Sequence, residues 1–337
     1  SFVWDKQCFT GVDYIEEPSD DGIFKIVNDY SGEGWNTEVD DELGNFDYLM
    51  GADIDFRNPD VMSELKYWGK WLLETLPIDG FRLDAVKHIS VDFLNEWVED
   101  MKATFKRDFF IVAENWNVES VDELESYIEL TGGKTQLFDS LLHHNFYLAS
   151  QAGQEYDLST IFNDTLVQRN PLLAVTFVDN HDSQPLQALE SFTEFWFRPL
   201  AYAMILLREG GIPCVFYTDV YGAEYEDGGQ QVELIGLQEL PQLIKIREAL
   251  AYGEQKDYLD HPNCIGWTRT GSDEFENSGI AVLMTNGEEG FKQMEIGSQF
   301  VGKTFVDLLG KRSEEVVIDE NGVGEFLCAA GSVSVWG

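Results

Sequence analysis

Basic residues are scarce in this chain: 22 lysines and arginines stand against 62 aspartates and glutamates, a formal net charge of -40. Nucleic acids and anionic membranes are bound through lysine and arginine, so neither is expected as a partner. Cysteine is sparse as well. Cys8, Cys214, Cys264 and Cys328 stand far apart without a C-x-x-C pair, which gives no basis for a zinc site or a disulfide framework and fits a reducing compartment. Long apolar runs are missing: residues 200–207 form one of the longest, far short of the roughly 20 residues that span a bilayer. The opening Ser1-Phe2-Val3-Trp4-Asp5 has no basic stretch followed by an apolar one, so no signal peptide is visible; the expected location is cytoplasmic, with secretion as the alternative.

What is present is a globular composition. With 44% hydrophobic and 25% charged residues over 337 positions, the chain can bury a large core and carry a second domain. Short apolar runs bounded by Gly, Pro, Asp or Asn predict strands at residues 78–83, 109–113, 136–138, 174–178 and 214–217. Helical periodicity predicts helices at residues 91–105, 121–130, 192–208 and 234–252 between and after them. Repeated strand–helix units imply an α/β fold with a parallel sheet. From about Tyr258 the pattern changes to short β segments with Gly, Asn and Asp turns, which predicts a small antiparallel domain. Residues 1–56 lack long helices, are rich in Gly, Asp, Asn and aromatics, and read as a loop-rich excursion.

Three of the predicted strands end in acids. The stretch Gly80-Phe81-Arg82-Leu83-Asp84-Ala85-Val86-Lys87-His88 places Arg82 and Asp84 on one face of a strand, because alternate residues share a face. Such an arginine can orient the carboxylate through charge-assisted hydrogen bonds and favour its ionised form. An R-x-D pair by itself reads more simply as a structural ion pair, so its neighbours decide. The strand at 109–113 runs into Glu114, Asn115 and Trp116, and the strand at 174–178 runs into Asp179-Asn180-His181-Asp182. Asp84, Glu114 and Asp182 thus fall at carboxyl ends of strands, where parallel α/β folds and barrels place their active sites. Retaining glycoside hydrolysis needs such a set: a carboxylate nucleophile and a carboxylic acid about 5 to 5.5 Å apart. A third acid can then stabilise the developing charge, and an aromatic such as Trp116 can stack on a sugar ring.

The motifs G-F-R-L-D-A-V-K-H at 80 to 88, V-A-E-N-W at 112 to 116 and F-V-D-N-H-D at 177 to 182 resemble the strand-4, strand-5 and strand-7 motifs of the α-amylase family, glycoside hydrolase family 13. Further likeness runs through 22 to 30, 44 to 50 and 211 to 217, nearly the whole chain, and is greatest to cytoplasmic bacterial α-amylases of the liquefying type. The resemblance implies a (β/α)8 TIM barrel with a C-terminal antiparallel β domain. It implies that Asp84 is the nucleophile, Glu114 the acid/base and Asp182 the transition-state stabiliser. Arg82 would orient Asp84, His181 would bind the sugar at the cleavage point, Lys87 and His88 would contact leaving-group glucoses, and Trp116 would line the cleft.

It further implies one calcium ion, with Asp47, Asp53 and the backbone oxygen of His88 as ligands. Asp55 matches an acid of a second cation site in some relatives, but Thr10 and Asn36 stand where those relatives carry aspartates, so a second site is not expected. The strand-3 motif of the family, D-x-x-x-N-H, does not occur in the sequence. The expectation is therefore strands 4 to 8 of the barrel only: residues 1–56 as part of domain B, 57–257 as the later part of the barrel and 258–337 as domain C. A missing N-terminal segment would complete the barrel. Asn115 stands in place of a frequent tyrosine and Thr218 in place of a frequent glycine, with no catalytic group lost. The expected substrate is an α-glucan polysaccharide or oligosaccharide, hydrolysed endo-wise. A transglycosylase of the same family and an inert glucan-binding fragment are the alternatives.

Overall fold

The computed structural model describes residues 2–17, 19–32, 34–35, 39 and 50–337. The chain divides into two compact units, residues 1–116 with 124–137, and residues 117–123 with 138–337.

The first unit opens with an antiparallel sheet, in which β1 (Phe9–Ile15) lies between β2 (Asp20–Lys25) and β3 (Ala52–Ile54). The expectation for this region was a loop-rich excursion; its described part also contains this small sheet. Helix α1 (Pro59–Thr75) follows, started by Asn58, whose side chain accepts the Asp60 N–H, and by a proline in its first turn. Pro77 then forbids further helix and returns the chain to an extended path. Strand β4 (Gly80–Leu83) pairs in parallel with β5 (Phe110–Ala113), from Gly80 opposite Phe110 to Leu83 opposite Ala113. Strand β5 pairs in parallel with β6 (Gln136–Phe138) at Val112 and Ala113.

Between the strands run α2 (Val91–Phe105) and α3 (Val121–Leu130). Helix α2 is capped by Ser90, which accepts the Phe93 N–H, and buries Phe93, Leu94, Trp97, Val98 and Met101 along one stripe. Its Trp97 ring packs edge-on against Phe81 of β4, with centroids 5.2 Å apart. The same indole lies so near Gly69 of α1 that a Cβ there would sit 2.6 Å from the ring. Only glycine permits that approach, and it is this packing that seats β4.

In the second unit α4 (Ser140–Ala152) and α5 (Leu166–Arg169) precede β7 (Ala174–Phe177), which pairs in parallel with β8 (Ile212–Cys214) across α6 (Arg198–Leu207). Asp139 organises the start of this unit. Its fully buried carboxyl accepts the N–H groups of Leu142, Leu166 and Val167, so it caps α4 and anchors α5 at once. Burial pushes this carboxyl up to about 6, against the pull of those three donors. The short α7 (Tyr217–Tyr221), the hairpin of β9 (Ala223–Asp227) and β10 (Gln230–Leu234), and α8 (Leu240–Leu250) complete this part.

The antiparallel region carries β11 (Gln255–Tyr258), β12 (Cys264–Arg269), β13 (Ile280–Thr285), β14 (Gly290–Glu295), β15 (Thr304–Val306), β16 (Glu315–Val317), β17 (Val323–Cys328) and β18 (Val333–Trp336). Its main sheet has the order β11-β12-β13-β18. Strands β12 and β13 are buried along their whole length. The period of two explains why both faces are apolar. Ile265, Trp267, Val282 and Met284 face a core shared with α6 and α8, whereas Cys264, Ala281 and Leu283 face Phe305, Phe326 and Trp336.

Most predicted elements are present, with three displacements; one is the helix expected at 234–252, which is Leu240–Leu250, because Leu234 still pairs with Ala223 in the β9–β10 hairpin. The strand expected at 214–217 is Ile212–Cys214, because Gly211 turns the chain with φ of +84° and Tyr217 already starts α7. The helix expected at 192–208 begins only at Arg198, since residues 180–197 are held in turns by side-chain hydrogen bonds that compete with helix. Among the described residues no helix is long and apolar enough to cross a membrane.

Asp139→Ala is expected to lower the unfolding free energy by about 3–5 kcal/mol, because three buried N–H groups lose their acceptor. Urea denaturation of the variant beside the wild type measures this.

Candidate active site

In the first unit the β4–β5 register places a pair of acids. Leu83 and Ala113 are the last residues matched across the ladder, so Asp84 and Glu114 leave adjacent strands at the same level. Arg82 stands between them. Its Nη1 lies 2.5 Å from Asp84 Oδ1 and its Nη2 3.7 Å from Glu114 Oε2. The two carboxylates have different surroundings, with the Asp84 side chain 67% exposed and that of Glu114 9%. Glu114 is fixed further through its backbone, whose N–H donates to Leu83 O at 2.8 Å and whose oxygen accepts the Val86 N–H at 3.0 Å. Ala85 then turns into the left-handed region, at φ 44° and ψ 45°, and points its N–H at Glu114 Oε2 over 3.0 Å. A non-glycine residue in that region carries strain, and strain of this kind gathers at functional sites.

Lys87 and His88 lie on the turn Val86–His88 directly after, half-buried, as is Trp116 two residues beyond Glu114. Sequence reasoning missed the Ala85 N–H, since a backbone donor leaves no mark in residue identity.

In the second unit the acid expected at the end of β7 lies five residues beyond it, on a turn. Asn180 Oδ1 accepts the N–H groups of Asp182 at 2.9 Å and Ser183 at 2.8 Å, and the Asn180 N–H donates to Ser183 Oγ at 2.9 Å. That turn carries His181 and Asp182 outward, 60% and 33% exposed, with His181 Nε2 3.3 Å from Asp182 Oδ2. The residue directly at the strand end is Asp179, fully buried beside Arg198 and His143. Burial pushes the His143 imidazole down to about 4, so that ring is neutral at pH 7.

The acids expected near the first unit's small sheet divide into two kinds. Asp47 and Asn36 lie outside the described residues. Asp53 accepts one hydrogen bond, from the Thr10 hydroxyl to Oδ2, while burial raises its carboxyl above the ordinary range. A half-buried carboxylate with its other oxygen unmatched among the described residues suits a hard cation that takes oxygen ligands. Asp55 does not suit one. Its Oδ1 accepts the Arg57 N–H and Nε–H, both at 3.0 Å, and its Oδ2 accepts from Asn28 at 2.9 Å and from Ser31. Among the described residues no group of three or more His, Cys, Asp or Glu stands close enough to hold a metal ion.

Comparison with known proteins identifies the family. The family described as "Alpha amylase, catalytic domain" matches residues 15–234, and "Alpha-amylase C-terminal" matches residues 280–337. The cytoplasmic alpha-amylase of Escherichia coli (strain K12) is 54% identical, over 99% of this chain and 68% of its own length. The alpha-amylase of Geobacillus stearothermophilus is 47% identical, over 100% of this chain and 60% of its own. The chain thus spans between 60% and 68% of the length of these relatives. The crystal structure of the Geobacillus thermoleovorans α-amylase complexed with acarbose is similar in fold, with a TM-score of 0.64 at 20% identity over 85% of this chain and 65% of that one. The class is therefore that of β/α-barrel proteins with a C-terminal antiparallel β domain. The chain belongs to the α-amylase family, glycoside hydrolase family 13.

Asp55→Ala is expected to cost about 1–3 kcal/mol, because the buried Asn28 amide and the Arg57 backbone N–H lose their acceptor. Thermal denaturation with and without a chelator checks both parts of the assignment: the loss is the same in each, since Asp55 has no oxygen left for a cation.

Proposed function

We propose that this protein is an α-amylase that cleaves internal α-1,4-glucosidic bonds of starch, glycogen or maltodextrins with retention of configuration. The observation that carries the reading is Arg82 set between an exposed and a buried carboxylate at adjacent strand ends. Such a difference in surroundings lets two like groups take different roles. Asp84, exposed and held by the guanidinium, attacks the anomeric carbon. Glu114, buried and fixed through Oε2, gives its proton to the departing glycosidic oxygen and then takes one from the water that releases the sugar.

Asp182 is assigned to stabilise the oxocarbenium-like charge, and His181 to hydrogen-bond the sugar being cleaved. Both assignments are supported by their exposure on a turn locked from beneath. Lys87, His88 and Trp116 are assigned to the glucose units beyond the scissile bond, on the match to the family motifs. The acarbose complex of the Geobacillus thermoleovorans enzyme supports a glucan as ligand. The name of the Escherichia coli relative supports a cytoplasmic location.

Calcium, which the family implies, would be held by Asp53, the His88 backbone oxygen and Asp47. When bound it would neutralise the half-buried Asp53 carboxylate and tie the β1–β3 region to the turn after β4. The division at residues 56/57 and 257/258 is supported by the start of α1 after β3 and by the antiparallel sheet that opens at β11. The absence of the strand-3 motif, with the relatives' greater length, supports further βα units outside this sequence.

Glu114→Gln keeps the shape and removes the proton, so kcat on soluble starch is expected to fall by about 10²–10⁴-fold. A reducing-sugar assay measures it, and unchanged turnover contradicts the assignment. Shorter maltooligosaccharides as the products, without longer ones, distinguish hydrolysis from transfer.

A further inference from the structure

We propose that Asp179 is a positioning residue: held by Arg198 together with Asp219, it fixes the two ends of residues 180–193 so that His181 and Asp182 are presented from a rigid turn. The inference rests on the glucan-hydrolase reading above.

The geometry lies wholly within the second unit. Asp179 Oδ1 accepts the Thr193 N–H at 3.1 Å, with the hydroxyls of Ser183 at 3.3 Å and Thr193 at 3.4 Å donating to the same oxygen. One atom thus joins the strand end to the residue just after Asp182 and to the far end of the same excursion. Arg198, the first residue of α6, closes the arrangement from below. Its Nε donates to Thr193 O at 2.9 Å, its Nη1 to Asp219 Oδ1 at 2.8 Å, and its guanidinium stacks on the Phe192 ring at 3.8 Å. Asp219 is held in turn by the Tyr202 hydroxyl at 2.5 Å, and that hydroxyl accepts the Phe216 N–H at 3.3 Å. The ends of β7 and β8 are therefore linked through a single guanidinium.

Stability alone gives little reason for this choice of residues. Asp179, Arg198 and Asp219 are almost wholly buried, two acids around one cation, and replacing such groups with apolar ones is often neutral or stabilising. Asp179 Oδ2 is buried without a hydrogen-bond partner and lies 3.9 Å from Arg198 Nε, a further unfavourable feature. Burial pushes both carboxyls upward and Arg198 opposes it. A buried polar network that does not serve stability specifies geometry instead. The geometry it specifies here is that of a turn whose two outward side chains act on the substrate.

The test uses the purified protein with maltoheptaose and with α-maltosyl fluoride, whose leaving fluoride needs no proton from Glu114. Asp179→Ala is expected to lower kcat on both substrates by about tenfold to a hundredfold, with KM changed far less, at a temperature where circular dichroism shows the variant folded. Asp179→Asn, whose amide oxygen can still accept the Thr193 N–H, is expected to recover most of the loss. Thr193→Val, a milder change, is expected to shift kcat in the same direction and serves if Asp179→Ala does not fold. A variant with a lowered melting temperature and wild-type kcat, or with the whole loss in KM, overturns the inference alone. A wild-type protein inactive on both substrates overturns the glucan-hydrolase reading, and the inference with it.

Discussion

Arg82 can reach two carboxylates because two short strands run parallel in one particular register. A slip of one residue between β4 and β5 would turn either Asp84 or Glu114 to the opposite face. The register is held by packing rather than by the ion pair, which at this exposure contributes little to stability. Phe81 and Trp97 meet edge to face behind the strand, and Gly69 lets the indole close upon α1. The apolar contacts supply the energy, and the charged groups use the geometry those contacts define.

The second unit applies a related solution in a different medium. Arg198 also serves two acids, yet it is almost fully buried where Arg82 is 36% exposed. In water-accessible surroundings a guanidinium orients side chains that must stay available to a ligand. In the interior it holds backbone and turn through hydrogen bonds that no water can replace. The exposed Asp84 thus shares Arg82 with the less exposed Glu114 in one unit, and in the other the half-buried Asp182 follows the buried Asp179 by three residues.

Much of this was legible in the sequence. The apolar runs that end in Asp84 and Glu114 announce strand ends, and the two-residue spacing of Arg82 and Asp84 announces a shared face; both are local properties, and both are found. The antiparallel C-terminal region was legible for the same reason. Less legible were features set by distant residues. The turn at 180–183 depends on Asn180 and Ser183 side chains that could equally have capped a helix, so α6 was expected too early. The grip of Arg198 on Asp219 spans 21 residues and leaves no spacing signal. Asp55 looked like a possible cation ligand beside Asp53, and only its four internal donors reveal a structural role.

The central claim is that the acid held by Arg82 and exposed at the end of β4 forms a bond to the sugar. Trapping the glycosyl–enzyme with a 5-fluoro-α-maltosyl fluoride, followed by proteolysis and mass spectrometry, tests it most directly. The account predicts a single labelled peptide with the sugar ester on Asp84. A label on another carboxylate, or turnover that inverts the anomeric configuration and leaves no label, would contradict it.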